Sequence, residues 1–182
     1  MGKIYSLLFK LRKFNHIGKR ANVGFGVSVI NPQNIYIGDD FYADKWTRLH
    51  TWLEYRGKKT GYIPNLYIGN NVSFMSNCYI SCMNKITIGD GCLFGDNVFV
   101  TDNFHGDGSA SQRNLPPIDR PLFSKGGVIV GKNVWIGRNV CIMPGVEIGD
   151  GAIIGANSVV TKNVEGASVV AGVPARIIKK IE

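Results

Sequence analysis

The chain has 182 residues, with 21 lysines and arginines against 13 aspartates and glutamates, for a formal net charge of +8. That length suits a single core, and no apolar run approaches a bilayer span of ~20 residues. Cys78, Cys82, Cys92 and Cys141 show no metal-ligand spacing, so they are expected to be reduced thiols packed as small hydrophobes.

The opening MGKIYSLLFKLRKF is too charged for a secretory leader and lacks a small-residue cleavage site, so a cytoplasmic protein is expected. Ile4, Leu7, Leu8 and Leu11 have helical spacing, which predicts a short amphipathic helix or cap within residues 1–16. Lys3, Lys10, Arg12, Lys13, Lys19 and Arg20 cluster around it. Two readings stay open. The helix rests on anionic lipid at the inner face of the membrane, or it docks over the open end of the fold that follows.

Residues 17–165 carry a period of six. Val23 and Val29 keep the step, Ile37-Gly38 is a weaker member, and Ile68, Phe74 and Ile80 continue it. Two extra residues precede Ile88, Phe94 and Val100, and the series restarts as Val130, Ile136, Ile142, Ile148, Ile154 and Val160. A helix wants apolar residues at three-to-four spacing and an ordinary strand every second one. A strict six, with Gly131, Gly137, Gly149 and Gly155 beside the aliphatics, predicts a parallel β-helix whose flat faces take one hexad each.

A second phase runs three residues behind the first: Asn71, Asn77, Gly91, Asn97, Asn103, Asn133, Asn139, Gly145, Gly151, Asn157 and Asn163, broken by Asp40 and Met83. Asn and Gly accept positive φ at low cost, so this phase marks the corners. One position further stand Val134, Val140, Val146, Ala152, Ser158 and Val164, compact enough for a corner interior, and Cys78 and Cys92 share that phase. Three faces make a coil of about 18 residues, and six or seven coils make an all-β, three-sided prism roughly 30 Å tall.

Two segments interrupt the coils. Residues 49–65, LHTWLEYRGKKTGYIPN, mix Trp52, Tyr55 and Tyr62 with Glu54 and Arg56, a composition that suits either sugar contact or a structural loop. The segment near residues 103–127 is too long and polar for a corner and predicts a protruding, functional loop. It carries His105, which either activates a nucleophile near neutral pH or bonds a neighbouring loop. Residues 166–182 form a basic tail in which Arg176, Lys179 and Lys180 join Lys162. No basic stripe with interleaved aromatics points to nucleic acid, whereas a compact polyphosphate suits the tail.

The hexads, TDNFHG, IDRPLFSKG, VWIG, SVVTK and AGVPAR together resemble the hexapeptide-repeat acyltransferases, and most of all bacterial polysaccharide and lipopolysaccharide O-acetyltransferases, with maltose and galactoside acetyltransferases next. The resemblance covers Tyr67 to the C-terminus. It implies a left-handed β-helix, a homotrimer with active sites between subunits, and direct acetyl transfer from acetyl-CoA to a sugar hydroxyl. His105 matches the general base. Trp135 matches a position beside the cofactor groove, or else packs as a plain apolar residue. Ala156, Thr161 and Lys162 match positions along the pantetheine arm, and Arg176 and Lys179 match cations near the nucleotide phosphates.

Trp52, Tyr55 and Asn77 are the expected acceptor contacts. Sugar acetyltransferases of this kind commonly carry an asparagine where Met75 stands here, and Asn77 is the nearest amide. Either other donors such as backbone N–H groups hold the oxyanion, or the acceptor geometry differs. The alternatives are N-acetylation of an amino sugar and a non-catalytic β-helix scaffold. A zinc hydratase similar to the γ-class carbonic anhydrases is disfavoured, because His16, His50 and His105 are scattered.

Overall fold

The structure is a computed structural model that describes residues 2–182, with side chains from Ile4 onward, so the side chain of Lys3 lies outside the described residues. Three parallel sheets form the walls of a three-sided prism. The first face stacks His16–Ile17, Ile35–Ile37, Asn65–Ile68, Lys85–Ile88, Val128–Val130 and Glu147–Ile148. The second stacks Asn22–Val23, Tyr42–Ala43, Ser73–Phe74, Leu93–Phe94, Trp135–Ile136 and Ile153–Ile154, then Ser168–Gly172 and Ala175–Lys180. The third stacks Ser28–Ile30, Arg48–Thr51, Tyr79–Cys82, Phe99–Thr101, Cys141–Ile142 and Val159–Val160.

The chain visits the faces in turn, so each strand pairs with the one a coil away. Ile68 lies opposite Ile37 and Ile88, Phe74 opposite Ala43 and Phe94, and Ile80 opposite Leu49 and Val100. Six full coils result, and a partial seventh sets Val170 beside Ile154. The hexad aliphatics fill the prism: Ile37, Ile68, Phe74, Ile80, Ile88, Phe94 and Val100 are 0 % exposed. Ala43 and Leu49 complete an early coil that the periodicity did not register, because alanine is a weak apolar marker and Leu49 opens an irregular segment.

At the corners, Asn71, Asn77, Asn97, Asn133, Asn139 and Asn157 take φ between 53° and 62°. Asn97 donates to Asn139 at 3.0 Å and Asn139 to Asn157 at 2.9 Å, a ladder of side-chain amides along one edge. Three positions differ from the expected pattern. Asp40 does form a left-handed corner, at φ 58°, with its carboxylate held by Arg20. Asn103 and Asn163 are not left-handed. The chain leaves the prism at Asn103, and the Asn163 side chain instead accepts the Glu147 N–H at 2.9 Å.

Glycine follows the aliphatic because the next coil approaches closely. A Cβ on Gly131 would lie 2.8 Å from the Asp150 nitrogen, and one on Gly89 2.7 Å from the Gly131 carbonyl carbon. The compact corner residues, Cys78 and Cys92 included, are buried, and burial pushes the Cys92 thiol up to about 11.

Helix α1, Gly2–Lys10, lies over the open end of the prism, as one of its two readings had it. It docks through aromatics: Phe9 is buried against Phe14 and Phe41, and Tyr5 packs edge-on to Phe25. The aliphatic stripe Ile4, Leu7, Leu8 and Leu11 faces outward. At the other end, Ser168–Gly172 and Ala175–Lys180 pair antiparallel.

Candidate active site

The two interrupting segments leave the third face from strands Arg48–Thr51 and Phe99–Thr101, which flank Tyr79–Cys82 on either side. Their exits are therefore about 10 Å apart, two strand spacings. The first segment folds back as a hairpin, Glu54–Tyr55 with Lys58–Lys59. Arg56 at φ 51° and Gly57 at φ 74° make its turn, the geometry that suits the twist of a two-residue hairpin. The second forms the hairpin Phe104–His105 with Leu122–Phe123, in which His105 pairs with Leu122. Gly106 N–H donates to the Pro121 carbonyl at 2.8 Å and closes that hairpin.

A polar network fixes both segments to the strand between them. Trp52 Nε1 donates to Ser81 Oγ at 3.0 Å, and Asn103 Nδ2 donates to the Ser81 carbonyl at 3.0 Å. Asp102 is fully buried, and its carboxylate accepts the N–H groups of Met83 and Asn84 at 2.7 and 2.8 Å and the Asn103 amide at 3.0 Å. Three donors satisfy a charge that would otherwise be costly inside the fold. Sequence reasoning passed over Asp102. Its signal was a carboxylate two residues beyond the inward Val100, on the face-alternation phase that points inward.

The segments meet at His105. Its exposed ring stands edge-on to Tyr55, with centroids 5.1 Å apart at 65°. Among the described residues neither ring nitrogen has a hydrogen-bond partner, so an incoming hydroxyl can reach them. Arg56 Nε approaches Asp119 Oδ1 at 3.7 Å and ties the two segments a second time. Between them lies a cleft of about 280 Å³, with Tyr55, Arg56, Lys58, Lys59, Arg120 and Leu122 in its walls.

The remaining expected site residues fall elsewhere on the chain. Asn77 is a corner residue on a separate shallow groove with Arg48, Tyr79 and Phe99. Trp135 projects from the second face at 53 % exposure and is not part of the packed interior. Ala156 is exposed at a corner of the coil that pairs with it, its nitrogen 2.7 Å from where a Gly137 Cβ would sit. Lys162 and Arg176 share a cleft of about 290 Å³ at the C-terminal end, beside exposed Thr161. Lys179 lies in the last strand opposite Val169, while Lys180 pairs with Glu165. Trp135 and the last strand belong to one sheet and are three strand steps apart, about 14 Å, a span that an extended thioester arm can bridge. His16 stacks on Tyr36, and His50 bonds Ser28 and packs edge-on to Trp52, so neither ring is in contact with His105. Among the described residues no three His, Cys, Asp or Glu side chains form a metal-binding group.

Comparison with known proteins gives one direction. The model of the family described as "Bacterial transferase hexapeptide (six repeats)" matches residues 127–162. WbbJ of Escherichia coli (strain K12), named as an O-acetyl transferase of lipopolysaccharide biosynthesis, is 40 % identical over 162 residues, covering 87 % of this chain and 78 % of that protein. AntD, an N-acyltransferase from Bacillus cereus solved with dTDP-4-amino-4,6-dideoxyglucose and coenzyme A, superposes with a TM-score of 0.78 at 25 % identity, over 98 % of this chain and 89 % of that one. The hexapeptide-repeat acetyltransferase VCA0836 from Vibrio cholerae, solved with acetyl-CoA, gives a TM-score of 0.61 at 26 % identity, over 99 % of this chain and 77 % of that one.

Proposed function

The chain belongs to the bacterial hexapeptide-repeat acyltransferases, left-handed parallel β-helices, and on that footing we propose that it transfers the acetyl group of acetyl-CoA to a sugar hydroxyl. The observation that carries the reading is the convergence of two braced loops on one solvent-facing imidazole, His105. A hydroxyl is a weak nucleophile until a base takes its proton. His105 takes that proton as the oxygen attacks the thioester carbonyl, and the proton then passes to the departing thiolate. Transfer is direct, with no acyl-enzyme. The Tyr55 edge and the Leu122 pairing hold the ring for this, since a general base must sit within hydrogen-bond reach of its proton.

Coenzyme A is the donor carrier in the similar solved structures, and the C-terminal end offers groups of the right kind for it. Lys162 and Arg176 supply cations for the phosphates in one cleft, Lys179 adds a third nearby, and exposed Trp135, Ala156 and Thr161 line the way to it. Trp52 braces the acceptor side through Ser81, and Asn77 contributes from a neighbouring subunit. The working unit is a homotrimer, supported by the exposed outward apolar side chains Tyr67, Leu93, Ile129 and Trp135 on flat faces. The acceptor belongs to surface polysaccharide or lipopolysaccharide biosynthesis. Helix α1, with its outward aliphatics and flanking Lys10 and Lys13, rests on anionic lipid at the cytoplasmic side.

N-acylation of an amino sugar is the second reading, favoured by the fold likeness to AntD. The deciding assay is thiol release from acetyl-CoA with hydroxyl and amino sugars offered in parallel. His105→Ala should lower the rate by about 10²–10⁴ with coenzyme A affinity unchanged, while His16→Ala keeps the wild-type rate. Equal rates for His105→Ala and wild type would reject the mechanism.

A further inference from the structure

We propose that the cleft between the two loops is a diphosphate site, and that the acceptor is therefore a glycosyl diphosphate and not a free sugar. The inference rests on the acetyl-transfer reading and names the substrate class of that site. Four cations, Arg56, Lys58, Lys59 and Arg120, wall the cleft against one carboxylate, Asp119. Asp119 lies against Arg56, which leaves three cations without an ion-pair partner in the cleft among the described residues. Glu54 stands opposite Lys59 in the hairpin register but does not line the cleft. Cations crowded in a concave site repel one another unless an anion lies between them, and a neutral sugar supplies none.

The cleft is also built to keep its geometry. Arg120 Nε donates to the Leu115 carbonyl at 3.0 Å, so its guanidinium is aimed before any ligand arrives. Arg56 occupies a left-handed backbone position, φ 51°, at a hairpin tip where glycine, asparagine and aspartate are favoured over a long side chain. A planar guanidinium binds phosphate oxygens two at a time, and lysines add point charge. The cleft, at about 280 Å³, is near the lower bound of small-ligand pockets, room for a diphosphate and part of a sugar.

Position links this site to the chemistry. Tyr55 is both a wall of the cleft and the edge contact of His105, and Leu122 is both a wall and the strand partner of His105. A sugar held by its anomeric phosphates would present its ring hydroxyls toward His105. The same diphosphate occurs in nucleotide-linked and in polyprenyl-linked sugars.

The test is calorimetry on the full chain with inorganic pyrophosphate, UDP and farnesyl diphosphate, each with and without saturating coenzyme A. Pyrophosphate should bind in the presence of coenzyme A, and its affinity should fall at least tenfold in Lys58→Ala/Lys59→Ala and in Arg120→Gln. Tighter binding of UDP than of pyrophosphate assigns a nucleotide carrier. Tighter farnesyl diphosphate assigns a lipid carrier, and equal affinities leave the diphosphate as the group recognised. Displacement of pyrophosphate by coenzyme A, or wild-type affinity in the folded Lys58→Ala/Lys59→Ala variant, would overturn the proposal. The acetyl-transfer reading would survive that result if coenzyme A still binds and His105→Ala still slows transfer by about 10²–10⁴.

Discussion

Three histidines share one sequence and three different environments. His16 lies flat on Tyr36, with ring centroids 4.4 Å apart, in a stack that continues to Tyr67. His50 bonds Ser28 and packs edge-on against Trp52 and Tyr79, and burial, helped by the nearby Arg48 charge, pushes its pKa down to about 4. His105 stands at the loop junction with its ring open to solvent and edge-on to Tyr55. The depressed His50 value has a definite consequence. Above its ordinary value of about 6.5 the ring is neutral folded or unfolded, whereas between 6.5 and 4 only the unfolded chain takes the proton. Stability from this group is thus full above pH 6.5 and is lost as the pH falls toward 4. The thermal midpoint of wild type should drop across that window, and His50→Gln should show a shallower drop. Matching slopes for the two proteins would mean that His50 does not titrate as its surroundings dictate.

At the scale of elements, helix α1 shows why amphipathicity does not by itself say which side docks. Its spacing marks Ile4, Leu7, Leu8 and Leu11 as a stripe, yet the prism's end takes Tyr5 and Phe9, because Phe14, Phe25 and Phe41 offer rings to pack against. Four exposed aliphatics lie beside Lys10 and Lys13, and on the proposed lipid reading an anionic surface would meet both the apolar and the basic half of that face. Wild type should sediment with vesicles containing anionic lipid and not with neutral ones, and Leu7→Ser/Leu8→Ser should reduce that fraction severalfold. Those substitutions touch no core contact, so the melting temperature should hold. Retention of vesicle binding by the variant would place the lipid contact elsewhere. The interrupting loops follow a different logic. Neither carries a core of its own, and their order comes from Ser81, Asp102 and Asn103 at their bases.

For the whole molecule, the stacking of coils sets what is shared and what is free. Each coil rests on the one below at strand distance, so the prism tolerates insertions only where a corner can open outward. Its flat faces leave Tyr67, Leu93, Ile129 and Trp135 outward, which three-fold association would cover. Light scattering at micromolar concentration should give three times the 19.9 kDa chain mass. A monomer of 19.9 kDa under those conditions would remove the shared-site arrangement and the contribution of Asn77 from a neighbouring subunit.

Much of this was legible in the sequence because a β-helix is locally written. Most hexads contribute one inward aliphatic, one left-handed Asn or Gly and one compact corner residue, all within a few positions of each other, so period alone gives the faces, most of the corners and the restart at Val130. Asp40 stood outside the Asn and Gly phase, although aspartate shares asparagine's tolerance of the left-handed region, and Arg20 holds its carboxylate at that corner. Asn103 had the right type and phase, but its amide turns to Ser81 and Asp102 where the chain departs. What only the tertiary structure decided is the meeting of residues 54–59 with 105–122, because nothing local encodes which loops will face each other across two strand spacings. The pairing of Tyr55 with His105, and the cationic cleft that comes with it, arises from coil stacking, which brings residues fifty positions apart onto one edge of the prism.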